Sequence, residues 1–170
     1  MSQSSVTTEF GWALYAHPVF LQRLKDIVAE VKRLMNADPD GFHHHPAYKF
    51  FEGVTGNILV TVPSNPAHPT FRQGGTLGRK YQHWFRVKKH NLPPRYRLFF
   101  QFRSAAPRTI IYAWLNDESS IRREGARNDV YEVFRGMLDA GDMPSAYADL
   151  MRASSTLVMP SLTGTEEESV

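Results

Sequence analysis

Five basic residues lie within the segment "WFRVKKHNLPPRYRLFFQF" (84–102), and no acidic residue lies among them: Arg86, Lys88, Lys89, Arg95 and Arg97. Arginine can bind two phosphate oxygens at once and lysine supplies a compact charge, so this composition is typical of a phosphate-binding site. Like charges on paired strands repel by roughly 0.2–1 kcal/mol, and a bound phosphate would offset that repulsion. The alternative is that long basic side chains only cover a sheet while their charged ends stay solvated.

The order of residue types in this segment predicts two β-strands joined by a turn. Phe85 and Val87 alternate with basic residues in the first half, and "RYRLFFQF" (95–102) alternates in the same way. Because successive side chains of a strand point to opposite faces, we expect one apolar face and one basic face. The basic face would carry Arg86, Lys88, Arg95 and Arg97. Phe99 or a nearby tyrosine could stack on a base of single-stranded nucleic acid.

Acidic residues are missing from a much longer part of the chain. The 64 residues between Glu52 and Asp117 contain no Asp or Glu but hold ten of the twenty Lys and Arg, although the net charge of the chain is only +3. One-sided positive charge concentrates polyanions, of which nucleic acid is the commonest. A solubilising basic surface is the alternative.

Length and composition indicate one domain of 170 residues without cysteine, which is typical of an intracellular protein. The start of the chain lacks the features of a secretory signal, and no apolar run is long enough to span a bilayer. We therefore expect a soluble, cytoplasmic protein without disulfides or a thiolate zinc site. No cofactor is expected. Residues 1–8 and 155–170 are expected to be disordered, with the folded domain at 9–154.

The elements around the basic strands follow from periodicity and from Pro and Gly positions. Helices are expected after Pro18 and Pro46, although the end of the second could be extended, and another after Asn128 or Asp129. "FGWALYAHP" reads as an edge strand, 63–80 as loop and "TIIYAWLN" (109–116) as a central strand. The order predicts an α+β fold with helices on one side of an antiparallel sheet.

Several motifs occur in an order that resembles the YhaV toxin family: "GWALYAHPVF", Phe71, "TLG", "WFRVK", "RYRLFF", "WLNDE" and "YEVFRGML". That family belongs to the RelE/ParE superfamily of type II toxin–antitoxin systems, and the resemblance covers residues 10–152. It implies a RelE-like fold, with N-terminal helices packed on a small curved antiparallel sheet and a C-terminal helix. It also implies a cytoplasmic endoribonuclease that cuts mRNA without a metal ion.

The resemblance assigns site residues by motif. Two basic residues one apart on a strand, an Arg after a Tyr on the next strand, and a C-terminal Tyr correspond to Arg86, Lys88, Arg97 and Tyr131. A further Arg would come from Arg122, Arg123 or Arg127, and we favour Arg127 because it lies about one helical turn before Tyr131. Arg79, Lys80, Lys89, His90 and Arg95 are expected to bind RNA.

Cleavage in this superfamily implies attack by the 2′-OH of RNA on the adjacent phosphate, which leaves a cyclic phosphate. Arg86 stands where the RelE branch has Lys, and a guanidinium stays protonated, so it is a poor general base. Lys88 or a histidine would then assist proton transfer. His90 shares the strand parity of Arg86 and is better placed than His83, although either could be a solvated surface residue.

The family also implies partners: an antitoxin of the AbrB-like PrlF type in a hetero-oligomer, operator DNA bound through that antitoxin, and mRNA with or without the ribosome. One alternative is a ParE-like toxin that inhibits a topoisomerase by protein contact alone. Another is a relative that binds RNA without cutting it. His43, His44 and His45 are read as packing at a helix start and not as metal ligands, and "GGTLGRK" departs from the phosphate-loop spacing.

Overall fold

The computed structural model describes residues 7–162. The first half of the chain contains the strands β1 (Thr8–Glu9) and β2 (Trp12–Ala16) and the helices α1 (Pro18–Ala37) and α2 (Pro46–Gly56). A π-helical turn, Asn57–Thr61, joins α2 to the short α3 (Val62–Ser64), so the segment that could have been extended is helical. The second half contains β3 (Phe85–Val87), β4 (Leu98–Arg103), β5 (Thr109–Leu115), α4 (Val130–Asp139), α5 (Tyr147–Ala153) and β6 (Ser155–Thr156).

Both long N-terminal helices begin at a His-Pro pair, as the two prolines predicted. Nδ1 of His17 accepts the backbone N–H of Val19 at 3.1 Å, and Nδ1 of His45 accepts that of Ala47 at the same distance. Each histidine therefore satisfies a donor that the helix itself cannot, and the proline has no N–H to satisfy. The apolar residues that recur at three- and four-residue steps along α1 are buried: Phe20, Leu24, Ile27, Val31 and Leu34.

The sheet is mixed, which corrects the prediction of an antiparallel sheet. Strands β3, β4 and β5 form the expected antiparallel meander, and the strand order is β1-β2-β5-β4-β3. However, β2 runs parallel to β5, and its other side pairs with β1 and with β6. The segment "FGWALYAHP" thus contains an inner strand and not an edge, because β1 and β6 both pair with the side of β2 that faces away from β5.

Helices cover both faces of the sheet, whereas the sequence predicted one open face. Leu98 and Phe100 of β4 join the core under α1 and α2, and Phe99 joins a second core under α4 and α5. Because β5 is buried along its whole length, neither face can be left to solvent. The α+β class is confirmed, with a second helical layer over the face that carries the basic residues.

The folded region extends past both predicted boundaries. Thr8 lies in β1, Ser155 and Thr156 form β6, and Leu157 is fully buried with its N–H donated to the carbonyl of Leu14. The predicted tail therefore begins later than residue 155. Most of the two predicted disordered segments, 1–6 and 163–170, lies outside the described residues. Within residues 7–162, no helix is both long and apolar enough to cross a membrane.

Candidate active site

Two arginines, Arg86 of β3 and Arg97 directly before β4, meet at the hydroxyl of Tyr131. Nε of Arg86 and Nε of Arg97 each donate to the Tyr131 oxygen at 3.0 Å. In the ladder Arg86 pairs with Phe99, and Arg97 has the same parity as Phe99, so both arginines point to the face covered by α4. Tyr131 lies in the first turn of α4 and is almost fully buried. Alternation in the sequence predicted this shared face.

Uncharged acceptors fix both guanidinium groups. Nη1 of Arg86 donates to the carbonyl of Thr70 at 2.8 Å. Nη1 of Arg97 donates to the carbonyls of Pro94 and Tyr96 at 2.7 and 2.8 Å, and Arg97 is only 4% exposed. Within residues 7–162 neither arginine forms an ion pair with a carboxylate. Their positive charges are therefore oriented but not neutralised.

A third arginine, Arg122, lies over the ring of Tyr131. Its guanidinium carbon is 5.0 Å from the ring centre, and that of Arg97 is 5.8 Å from the same centre, both within the range of a cation–π interaction. Nη1 of Arg122 also donates to Oδ1 of Asp129 at 2.8 Å, and this bond raises the pKa of Arg122. The buried Asp129 caps α4 as well, because its Oδ2 accepts the N–H of Tyr131 at 3.0 Å.

The structure brings Arg122, and not Arg127, to Tyr131. The preference for Arg127 assumed that it preceded Tyr131 by one helical turn, but α4 begins at Val130 and residues 124–128 form turns. Arg127 is exposed there, and its side chain forms no hydrogen bond or ion pair with another described residue. Arg123 is also exposed.

The remaining predicted cations are exposed at the surface. Lys88 and Lys89 follow the end of β3, and Arg95 precedes the start of β4 at Leu98, so none of them lies within a strand. Arg79 and Lys80 are exposed in a 3-10 turn, where the Lys80 ammonium lies 5.6 Å from the centre of the adjacent Tyr81 ring. These side chains are available for contact with a polyanion without being held in one geometry.

Neither candidate histidine contacts the arginine cluster. His90 has a left-handed backbone (φ 64°), and its ring packs 5.6 Å from that of Phe71. The parity argument for His90 was wrong because β3 ends at Val87. Nε2 of His83 lies 2.8 Å from the carbonyl oxygen of Ser145.

Phe99 cannot serve as a stacking platform for RNA, as one prediction suggested. It is fully buried and stacks on Phe134 of α4 with ring centres 4.2 Å apart. The aromatic nearest the cations is instead Tyr131, whose hydroxyl is engaged by two guanidinium groups.

A separate cavity of about 510 Å³ lies between α1, the start of α2 and the loop before β4. Its lining includes three carboxylates, Asp26, Glu30 and Glu118, against the single guanidinium of Arg23. A negative lining repels phosphate, so this cavity is not suited to RNA. Among the described residues, no group of three His, Cys, Asp or Glu side chains converges to hold a metal ion.

Sequence reasoning missed the supporting role of Asn116. This asparagine lies in the "WLNDE" motif directly after β5, and it is fully buried with its side chain hydrogen-bonded to Arg97, Arg95 and Ser120. A polar residue that follows seven buried strand residues was the available signal. Its partners lie 4 to 21 positions away in the chain, so only the folded structure reveals them.

Comparison with known proteins identifies the family. The model of a family described as a toxin with endonuclease activity, of a toxin–antitoxin system, matches residues 14–155. The ribonuclease toxin YhaV of Escherichia coli K12 is 41% identical over 143 residues, which cover 84% of this chain and 91% of that protein. The toxin YhaV of Escherichia coli O6:H1 is 40% identical over 141 residues, which cover 82% of this chain and 90% of that protein. No solved structure matches the chain significantly. The chain belongs to the YhaV family of toxins, the endonuclease components of toxin–antitoxin systems.

Proposed function

We propose that this chain is a metal-independent endoribonuclease whose active site is formed by Arg86, Arg97, Arg122 and Tyr131. The observation that carries the proposal is the pair of guanidinium groups that donate to one phenolic oxygen without a carboxylate partner. Endonuclease activity follows from the family, and the name of the Escherichia coli K12 relative, a ribonuclease toxin, supports RNA as the substrate.

The cluster suits a phosphate that gains negative charge during the reaction. Two unit charges 4 Å apart repel by roughly 1 kcal/mol in water and about 4 kcal/mol near a protein surface, so neighbouring cations favour a bound anion. When the 2′ oxygen of RNA attacks, the O2′–P bond forms and the P–O5′ bond breaks, leaving a cyclic phosphate and a 5′-hydroxyl. Arg86 and Arg97 stabilise the charge that develops on the phosphoryl oxygens.

Tyr131 and Lys88 have roles in proton transfer. The two Nε–H donors occupy the acceptor side of the Tyr131 oxygen, so its own O–H is left to donate to the departing O5′. We assign removal of the 2′-OH proton to Lys88, which is exposed at the end of β3, since the rings of both candidate histidines face other partners. An ammonium group has no acceptor, so Lys88 takes this proton as the neutral amine. A positioned acid or base of this kind contributes about 10²–10⁴-fold.

The surrounding cations extend the binding surface along the RNA. Arg79, Lys80, Lys89 and Arg95 are exposed around the cluster and supply contacts that weaken as salt rises. Membership of a toxin–antitoxin family implies a cognate antitoxin. We propose that it is an AbrB-like protein of the PrlF type, which forms a hetero-oligomer with this chain and contributes most of the contact with operator DNA.

The test incubates purified protein with RNA, with and without ribosomes, in excess EDTA, and identifies the product ends. We expect cleavage that leaves a cyclic phosphate and is lost in Arg97→Ala, while Arg103→Ala, at the other end of β4, cleaves normally. Cleavage of a substrate with deoxyribose at the scissile position would contradict 2′-OH attack. Cleavage that EDTA stops and added metal restores would contradict metal independence. Inhibition of a topoisomerase without any RNA cleavage would favour the ParE-like alternative.

A further inference from the structure

We propose that Asn116 is a positioning residue that sets the catalytic geometry of Arg97 and Arg122 through its side-chain amide. This inference rests on the proposed function, because it assigns a role in the same active site. The side chain of Asn116 is hydrogen-bonded to backbone groups, that of Arg97 among them, and not to the guanidinium groups or to Tyr131. It lies fully buried one residue beyond β5, at the end of the strand ladder.

The side chain of Asn116 extends the ladder by one step. Strands β4 and β5 pair from Arg103–Thr109 to Leu98–Leu115, so the backbone of Arg97 is the first to lie beyond the paired residues. Oδ1 of Asn116 accepts the backbone N–H of Arg97 at 2.8 Å. That bond fixes the backbone from which the Arg97 guanidinium reaches Tyr131.

The same amide also holds the segment that carries Arg122. Nδ2 of Asn116 donates to the carbonyls of Arg95 and Ser120 at 3.2 and 2.9 Å. The carbonyl of Arg95 in turn accepts the backbone N–H of Arg122 at 2.9 Å. One buried amide therefore connects the segment that contains Arg97 with the segment that leads to Arg122.

Helix α1 braces Asn116 from the side opposite the cluster. Arg23 donates from Nε and Nη2 to the backbone carbonyl of Asn116 at 3.3 and 3.0 Å. Burial lowers the pKa of Arg23, and its guanidinium lies 5.4 Å from the centre of the Phe50 ring. Phe50 packs against Tyr96, the residue before Arg97, with ring centres 5.0 Å apart.

Only an amide side chain meets all the requirements at this position. The site needs one acceptor for the Arg97 N–H and two donors for the carbonyls of Arg95 and Ser120. An ionised aspartate can accept but cannot donate, so its oxygen would face two carbonyl oxygens. Alanine would leave all three backbone groups without this partner.

The experiment compares Asn116→Ala with Gln101→Ala. Gln101 is a matched control, because it is another buried amide on the same side of the sheet and donates to one backbone carbonyl, that of Ser145, at 2.7 Å. We expect Asn116→Ala to lower the single-turnover cleavage rate at saturating RNA on the order of 10- to 100-fold, since small misplacements of catalytic groups have effects of this size. The dissociation constant for RNA should stay nearly unchanged.

Gln101→Ala should also lower the melting temperature, although by less because it removes one hydrogen bond and not three, and it should cause no comparable loss of rate. If Asn116→Ala fails to fold, Arg23→Met serves in its place. It removes the two bonds to the Asn116 carbonyl and the contact of the guanidinium with the Phe50 ring but leaves the Asn116 side chain intact, so a smaller loss of rate is expected. A wild-type rate in a folded Asn116 or Arg23 variant overturns the inference. Normal cleavage by Arg97→Ala would instead contradict the proposed active site. Failure of the proposed function and failure of the role of Asn116 therefore give different results.

Discussion

Replacing Tyr131 with Phe removes the one atom that both strand arginines bind. The ring, its edge contact with Phe99 and its cation–π contacts with Arg97 and Arg122 remain, so the change isolates the hydroxyl. Nε of Arg86 and Nε of Arg97 lose an acceptor, and the site loses the O–H that we assign to the leaving group.

Loss of the hydroxyl costs the two arginines different amounts of stabilising free energy. Arg97 is buried, so its Nε–H is left without a partner at roughly 1–3 kcal/mol, whereas the half-buried Arg86 can turn toward water. A loss of this size lowers the melting temperature by about 2–4 °C per kcal/mol for a chain of this length. The cleavage rate should fall by about 10²–10⁴-fold, the usual contribution of a positioned proton donor.

Tyr81→Phe is the matched control. Tyr81 is another buried tyrosine in the same core, and its hydroxyl donates to Asp139 at the end of α4, 2.5 Å away. Its removal should lower the free energy of unfolding by about 0.5–1.5 kcal/mol. Cleavage of a short RNA should be unaffected in single-turnover assays run well below either melting temperature.

The comparison separates a catalytic hydroxyl from a structural one. A Tyr131→Phe protein that melts lower but cleaves at the wild-type rate would refute the proton-donor role. It would leave Tyr131 as a support for the arginines alone. A rate loss that is equal in the two variants would mean that stability, and not the chemistry of the site, controls the assay.

Three further predictions concern the rest of the molecule. Burial lowers the pKa of His17 below its ordinary 6.5, so the unfolded chain binds the proton more readily than the folded chain does. The contribution of His17 to the free energy of unfolding should therefore be complete above pH 6.5 and fall as the pH drops below it. In urea melts, His17→Asn should make the free energy of unfolding less dependent on pH in this range. Leu157→Ala should lower the free energy of unfolding by roughly 2–5 kcal/mol because Leu157 is fully buried. The control is Val158→Ala at the exposed neighbour, which should change the free energy of unfolding little. Arg95→Ala should reduce the salt dependence of RNA binding by about one counterion while the cleavage rate of bound RNA persists, and an unchanged slope would remove Arg95 from the binding surface.

Strand alternation predicted the face that the arginines share only as far as the strands extend. Arg86 lies inside β3 and Arg97 directly adjoins β4, and both point to the α4 face as expected. Arg95 and His90 belong to the connection, where His90 takes a left-handed conformation. Alternation has no meaning in a turn, so their predicted orientation could not be derived from spacing.

The choice among the three loop arginines needed information that the sequence does not display. Arg122 reaches Tyr131 because the buried Asp129 binds its guanidinium and caps α4 at once. The sequence indicated Asp129 as a possible cap. It gave no sign that the same carboxylate would select Arg122 over Arg127, because that depends on how the non-helical segment 121–129 folds back.

The contrast between the arginines shows how this fold keeps charge available for RNA. Arg122 is fixed by a carboxylate, which also neutralises it, so its contribution is mainly to hold the ring of Tyr131 in place. Arg86 and Arg97 are fixed instead by a phenol and by backbone carbonyls, which orient a guanidinium without cancelling its charge. The two cations already repel each other in the folded protein before any ligand binds. In the proposed mechanism, a phosphate that enters the site therefore meets charge already in position, and the stabilisation grows as its own charge grows toward the transition state.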